Sequence, residues 1–276
     1  MFRTRKRRML LIVCLLVCSA SALLAMQRRR RDMGYRAGVP MWEVNTAFKQ
    51  DQFTFARVIY SSGYGGGWGR GPGWDTDYPD SDLNFSLRLQ QLTSLKVNPE
   101  PVQLPLTDPR IFDYPFLYII EVGGMTLDAD EIQALRKYCL NGGFLMVDDF
   151  WGDYALQNFL HHMEMAFPER RAQEIPLDHE IFHCVYDLKE KPQIPSMHHW
   201  QRYGITYEPN HDGDTTTPHY MGITDDEGRI MVFICHNTDL GDGWEREGED
   251  RSYFDEFAVK KSYPLGINIV TYAMTH

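Results

Sequence analysis

The chain reads as a doubly wound α/β domain, a mostly parallel sheet with helices on both faces, and three observations carry that reading. Two apolar runs, Phe116–Val122 and Phe144–Val147, have the composition of strands covered on both sides. Between them Asp128 and Glu131 stand at capping-box spacing, Ile132, Leu135, Tyr138 and Cys139 form one apolar helical face, and Asn141-Gly142-Gly143 supplies a stop. Strand, helix and strand in about thirty residues make a βαβ unit, whose two strands run parallel in one sheet.

The remaining elements follow in chain order. Arg3, Arg5, Lys6, Arg7 and Arg8 precede the apolar run Met9–Met26, and Arg28–Arg31 follow it, so residues 1–33 are expected to be a signal peptide or a membrane anchor. Ala20-Ser21-Ala22 fits a cleavage site, whereas the four arginines beyond the run resist translocation. The protein is thus expected to be membrane-anchored or exported, with residues 9–26 in the membrane, residues 34–51 a linker and residues 52–276 a single α/β domain. Phe53–Tyr60 alternates as a strand, and the glycine- and aspartate-rich stretch Tyr64–Asp82 follows it. A helix is expected from Asp80 to Leu95, capped by Asp80 or Ser81, then a short edge strand over Val102–Leu106. After the βαβ unit, Asp153–Phe167 reads as a helix and residues 168–218 as irregular, with Ile205–Tyr207 as a candidate strand. Tyr220–Ile223 and Ile230–Cys235 pair as a hairpin about the turn Asp225–Gly228, and two helices, Phe254–Lys260 and Pro264–Met274, close the chain.

Charge narrows the partners. Residues 1–33 hold nine of the 28 Lys and Arg and one of the 38 Asp and Glu, which leaves 19 basic against 37 acidic residues, a balance of −18. Such a surface repels nucleic acid and anionic lipid. Envelope proteins or carbohydrate are the expected partners. The three cysteines outside the apolar run, Cys139, Cys184 and Cys235, are odd in number and widely spaced, so they form neither a disulfide framework nor a zinc ribbon.

Ligands of doubly wound sheets sit beyond the carboxyl ends of the strands, so the residues there are the candidates. No window in the glycine loop satisfies Gly-x-Gly-x-x-Gly, and Gly71 is followed by Pro72 rather than by Lys-Ser/Thr, so no nucleotide is expected. Asp77 and Asp82 offer hard oxygens, with a divalent metal as one reading and helix capping as the other. Trp74 and Tyr78 suit stacking on a sugar or a partner. Gly123, Gly124 and Asn237 follow strands and complete a ligand-binding set with His179. Asp148 and Asp149 end a buried strand, where adjacent carboxyls raise each other's proton affinity. His236 ends the last strand and is expected at the same edge, so Asp148, Asp149 and His236 are the candidate catalytic group.

Pro115-Phe116-Leu117-Tyr118, Leu135-Arg136-Lys137-Tyr138, Gly142-Gly143-Phe144-Leu145, Asp148-Asp149, Phe55-Ala56-Arg57, Trp74–Pro79 and Asp178–Phe182 together resemble the bacterial family of the domain of unknown function 4159. The resemblance implies similarity to class I glutamine amidotransferases and trehalose-utilisation-like proteins, and with it a flavodoxin-like fold. Such an amidotransferase carries a cysteine nucleophile where this chain has Asp148-Asp149-Phe150, so glutaminase activity is not expected. The expectation is therefore a ligand- or partner-binding module of the envelope, the alternative a hydrolase of a carbohydrate or peptide-like substrate acting through Asp148, Asp149 and His236.

Overall fold

The computed structural model describes residues 36, 38–44, 51–63 and 73–276. The chain divides into two units, Met1–Pro40 and Met41–His276. In the first, the Arg36 guanidinium turns back onto the Val39 carbonyl at 3.1 Å. The apolar run 9–26 and the glycine loop through residue 72 lie outside the described residues, and among those described no helix is long and apolar enough to cross a membrane.

The second unit is built on β1 (Ala56–Ile59), β3 (Val102–Pro105), β4 (Phe116–Ile120), β6 (Phe144–Asp148) and β9 (Ile230–His236), all parallel. At one edge β8 (His219–Thr224) returns antiparallel to β9, and β7 (Gln173–Glu174) pairs with β8. The order across the sheet is β3-β1-β4-β6-β9-β8-β7. Counting the parallel strands alone, that is the 2-1-3-4-5 order of flavodoxin-like sheets. The chain leaves β1 outward to β3 and returns to β4, so the switch point lies between the ends of β1 and β4. There a small antiparallel pair, β2 (Ser61–Ser62) with β5 (Met125–Thr126), ties the segments after those two strands together.

Alternation along the strands sends side chains to two cores. Ala56, Val58, Leu117, Ile119, Leu145, Val147, Val232 and Ile234 pack against α2 (Ala129–Leu140) and α3 (Gly152–Ala166) through Leu135, Cys139, Phe159 and Met163. Phe55, Phe116, Tyr118, Phe144, Met146, Phe233 and Cys235 face α1 (Asp80–Leu92), α5 (Leu240–Glu245) and α7 (Tyr263–Thr275) through Phe85, Leu89, Trp244, Ile267 and Val270. The expected α/β class, the βαβ unit and the hairpin are all present.

Local expectations differ in several places. The first strand starts at Ala56, because Phe53 makes only an isolated bridge to Val97. Helix α1 ends at Leu92, where the Thr93 hydroxyl takes the Leu89 carbonyl at 2.7 Å, and its N-cap is Pro79 rather than Asp80 or Ser81. Ile205–Tyr207 is not a strand, and the stretch read as irregular contains α4 (Met197–Tyr203), too short for its periodicity to register. The closing helices are continuous: α6 (Arg251–Tyr253) runs through a π-helical segment, Phe254–Ser262, into α7.

The capping box of α2 is complete, with Asp128 accepting the Asp130 and Glu131 amides and Glu131 accepting the Asp128 amide, each at 2.9 Å. Asp128→Ala is expected to destabilise the domain by about 1 kcal/mol, read as a lower urea midpoint at unchanged slope. A neutral result would remove the cap from the account of where α2 begins.

Candidate functional site

Four residues other than glycine have left-handed backbone in the described chain: Asp77 (φ 60°), Glu121 (53°), Asp149 (49°) and Asn237 (58°). Glu121, Asp149 and Asn237 stand just beyond β4, β6 and β9, and Asp77 lies in the segment between β1 and α1. Such conformations cost of order 1–3 kcal/mol and persist where the surroundings fix them. Here the Tyr60 hydroxyl reaches the Ile120 and Glu121 carbonyls at 2.9 and 2.8 Å, and the Glu121 amide donates to the Asp149 carbonyl at 3.1 Å.

Arg57, in the middle of β1, organises the segment that carries Asp77. Its side chain is fully buried, and every N–H finds an acceptor. Nε and Nη2 grip the Asp82 carboxylate, Nη2 also meets the Ser81 hydroxyl at 2.9 Å, and Nη1 donates to the Trp74 and Thr76 carbonyls at 3.0 and 2.8 Å. The guanidinium lies 5.1 Å from the centre of the Tyr118 ring and 5.9 Å from that of Tyr78. Asp82 is thus an internal counter-ion at 2.5 Å rather than an open ligand. Trp74 packs against the core and Tyr78 against Arg57, so these two aromatics are already engaged.

Asp148 faces the α5 side of the sheet. Its carboxylate accepts the Leu240 amide at 3.2 Å, the Gly241 amide at 3.0 Å and the Tyr118 hydroxyl at 2.9 Å. Burial still pushes its pKa up to about 6, against these hydrogen bonds. Helix α5 is thereby seated on the end of β6. Its N-cap, Asp239, accepts the Asp242 amide at 2.7 Å, and Asp242 accepts the Met197 amide and Arg246 Nε, the latter at 3.3 Å. Gly241 permits the close approach: a Cβ there would lie 2.7 Å from Asp77 Oδ2 and 2.9 Å from the Tyr118 hydroxyl.

The outcome is a largely buried acidic cluster. One oxygen from each of Asp77, Asp239 and Asp242 falls within 4.8 Å of the other two, and Asp77 Oδ2 is sealed from solvent without a hydrogen-bond partner. Burial first and the neighbouring carboxylates second hold Asp77, Asp149 and Asp239 well above the usual carboxylate range. Glu245, beside Asp77 and Asp242, is raised to about 7, chiefly by burial, although Arg246 stands 2.7 Å away. Glu121 is also raised to about 7, by burial and by Glu208.

The other candidates lie elsewhere. His236 ends β9 at the same edge but on the opposite face from Asp148, its Nε2 3.0 Å from the Gly152 carbonyl and its ring 5.0 Å from Phe150. Two-residue alternation separates it from the carboxylates. Asn237 is structural: its Oδ1 accepts the Gly152 amide and its Nδ2 donates to the Asp214 and Thr217 carbonyls. Gly123 and Gly124 form a tight turn in which a Cβ on Gly123 would sit 2.9 Å from that of Ala155, so α3 rather than a ligand fills that space. His179 caps a 3₁₀ turn and its ring lies tilted, 5.8 Å from that of Tyr272, whose hydroxyl accepts the amide of Ile230 at the start of β9, the opposite edge of the sheet. Cys139 and Cys235 are buried and Cys184 exposed.

Sequence reasoning missed Glu121, Asp239, Asp242 and Glu245. The signal for two of them was present: Asp239-Leu240-Gly241-Asp242 directly after a strand is N-cap spacing.

Replacing Arg57 with methionine strands Asp82 in the interior and is expected to cost about 3–5 kcal/mol. Denaturation of Arg57→Met and of Arg57→Met/Asp82→Leu checks this, the double variant being the more stable. A single variant within about 1 kcal/mol of the parent would show that the ion pair is not the anchor.

The family model of the domain of unknown function DUF4159 matches residues 54–274, and the chain belongs to that family. No curated protein matches it.

Proposed function

Starting from membership of a family that carries no assigned reaction, we propose that the domain is a ligand-binding module whose acidic cluster takes a divalent cation of the calcium and magnesium class. The observation that carries this reading is the orphaned Asp77 Oδ2, within reach of Asp239 and Asp242 oxygens. Hard cations take carboxylate oxygens at about 2.0–2.6 Å, so no two ligands of one ion stand more than about 5 Å apart, and these oxygens lie within 4.8 Å of one another. Charge points the same way. Asp77, Asp242 and Glu245 share Arg246, Asp239 stands among Asp149, Asp242 and Asp77, and Arg57 is ion-paired with Asp82. Without a counter-ion such a group relieves its repulsion by holding protons, and a cation relieves it at neutral pH.

The hydrolase alternative required Asp148, Asp149 and His236 to meet. Their separation across the sheet supports the binding reading instead. Attachment through residues 9–26 and a place in the envelope belong to the same proposal, supported by the arginine-flanked apolar run alone. Carbohydrate and envelope-protein partners rest on the charge balance and on Tyr64 and Trp68, aromatics beyond the described residues.

Two outcomes test the cluster. Asp148, Glu121 and Glu245 have folded-state pKa values of about 6, 7 and 7, against about 4 in an unfolded chain. The stability they contribute is therefore fully present below about pH 4 and lost as pH rises through 6 to 7. Melting of the metal-free chain should accordingly move to lower temperature over that window. At pH 7.5 calcium or magnesium at a hundredfold excess over Kd should restore about 2.7 kcal/mol, a rise of roughly 5–10 °C. In Asp77→Asn the metal-free melting temperature should rise, since a repelling charge leaves and asparagine keeps the left-handed backbone, while the response to cation disappears. A cation response that survives Asp77→Asn, or none at millimolar concentrations of either ion, overturns the proposal.

A further inference from the structure

We propose that His219 and His236 are the two protein ligands of a further metal site, one for a transition ion of the zinc and copper class, on the opposite face of the strand ends from the acidic cluster. This site stands on its own observations and does not rest on the cluster reading.

Strands β8 and β9 are antiparallel, and His219 lies directly opposite His236 in their register. Cross-strand partners share a face and stand about 4.5–5.5 Å apart at Cβ. The two rings are accordingly neighbours, their centres 6.0 Å apart and their planes 21° from parallel. Bonds of about 2.0–2.1 Å from one zinc ion to two imidazole nitrogens hold the ring centres within about 6.5 Å of each other. The pair falls inside that span.

What each ring nitrogen touches carries the inference. His236 Nε2 is 3.0 Å from the Gly152 carbonyl, which can only accept, so that nitrogen bears the hydrogen. Nδ1 therefore bears a lone pair, and it is sealed from solvent with no hydrogen-bond partner in a residue 2 % exposed. Buried polar side-chain atoms are in the large majority partnered, so the bare Nδ1 calls for a ligand. Burial also holds His236 below its ordinary pKa, which keeps the lone pair free of a proton at neutral pH. His219 is arranged the other way round: its Nδ1 is 3.3 Å from Glu174 Oε2 on β7, a carboxylate that also meets Lys191, and Nε2 is left for an ion. A backbone carbonyl behind one imidazole and a carboxylate behind the other are the outer partners that orient metal-binding histidines and fix their tautomers.

Access and charge agree with this. The His219 side chain is 43 % exposed and turns to meet the ion, whereas His236 is fixed. Asp153 and Glu174 act electrostatically on His236, and Asp214 feels His219, so carboxylates surround the approach. Imidazole nitrogen selects zinc, copper and nickel, and carboxylate oxygen selects calcium and magnesium, so the two sites divide the ions between them. With two protein nitrogens, the remaining positions on the ion belong to water or to an added ligand.

Stoichiometric Cu(II) added to the untagged 276-residue chain should give an electron paramagnetic resonance spectrum with coupling to two imidazole nitrogens. His219→Gln and His236→Gln should each lose that pattern, and Glu174→Gln should weaken copper binding about tenfold. Circular dichroism checks that the variants are folded. His219 is half exposed and can be replaced without opening the core, so its variant decides the matter alone if His236→Gln does not fold. A parent without nitrogen coupling, or a pattern unchanged in His219→Gln, overturns the site. Loss of the copper signal on adding millimolar calcium would put the ion in the acidic cluster and overturns it as well. None of these readings depends on whether Asp77→Asn abolishes the calcium response, so the two sites stand or fall separately.

Discussion

The acidic edge of this domain depends on one buried guanidinium. Arg57 sits in the middle of a strand whose neighbours are apolar, a place where an unpaired charge is prohibitively costly. It is tolerated because all of its donors are met from a single chain segment, Trp74–Asp82. The bond network therefore runs one way: β1 fixes Arg57, Arg57 fixes the segment, and the segment presents Asp77 in its left-handed conformation beside α5. Cation–π contact with Tyr118 extends the arrangement to β4. Charge inside the sheet thus serves geometry at its edge.

What this geometry holds is electrostatically uncomfortable. Asp77, Asp149 and Asp239 are each shifted upward, first by burial and then by neighbouring carboxylates, and two of the three occupy left-handed backbone. Structural ion-pair networks compensate their members, as Asp82 is compensated by Arg57. Here Asp77 Oδ2 is buried with no donor hydrogen-bonded to it, and Glu245 beside it is another acid. Uncompensated carboxylates beside a switch point, held there at the cost of backbone strain, are a feature that stability alone does not account for.

Much of the fold was legible in the chain, and the reason is periodicity. Phe116–Ile120 and Phe144–Asp148 are buried on both faces, and Asp128 with Glu131 marks the start of α2 unambiguously. Helix α5 and α4 have six and seven residues, fewer than two turns, and left no apolar stripe to read. For the site, Asp77, Asp148 and Asp149 were legible because aspartates after a strand are conspicuous. Glu121 was hidden because it stands between Ile120 and Val122 and reads as strand until its φ of 53° is known. His236 was placed at the right edge, while its face, opposite that of Asp148, is set by the two-residue alternation that the edge alone does not give.

Asp148 and Asp149 show why adjacency in sequence says little about shared chemistry. Asp148 accepts three hydrogen bonds and is the less perturbed of the two, and what those bonds do is anchor the N-terminus of α5 to the end of β6. That helix carries Asp242 and is capped by Asp239. Asp149, one residue on, has left the strand, and its electrostatic neighbours are Glu121, Asp77 and Glu208. By satisfying α5, the first aspartate sets Asp239 and Asp242 opposite Asp77. The two adjacent candidates thus have different surroundings, Asp148 tied to the backbone of α5 and Asp149 among the carboxylates of the charged edge, because one residue of left-handed backbone takes the second out of the strand's alternation.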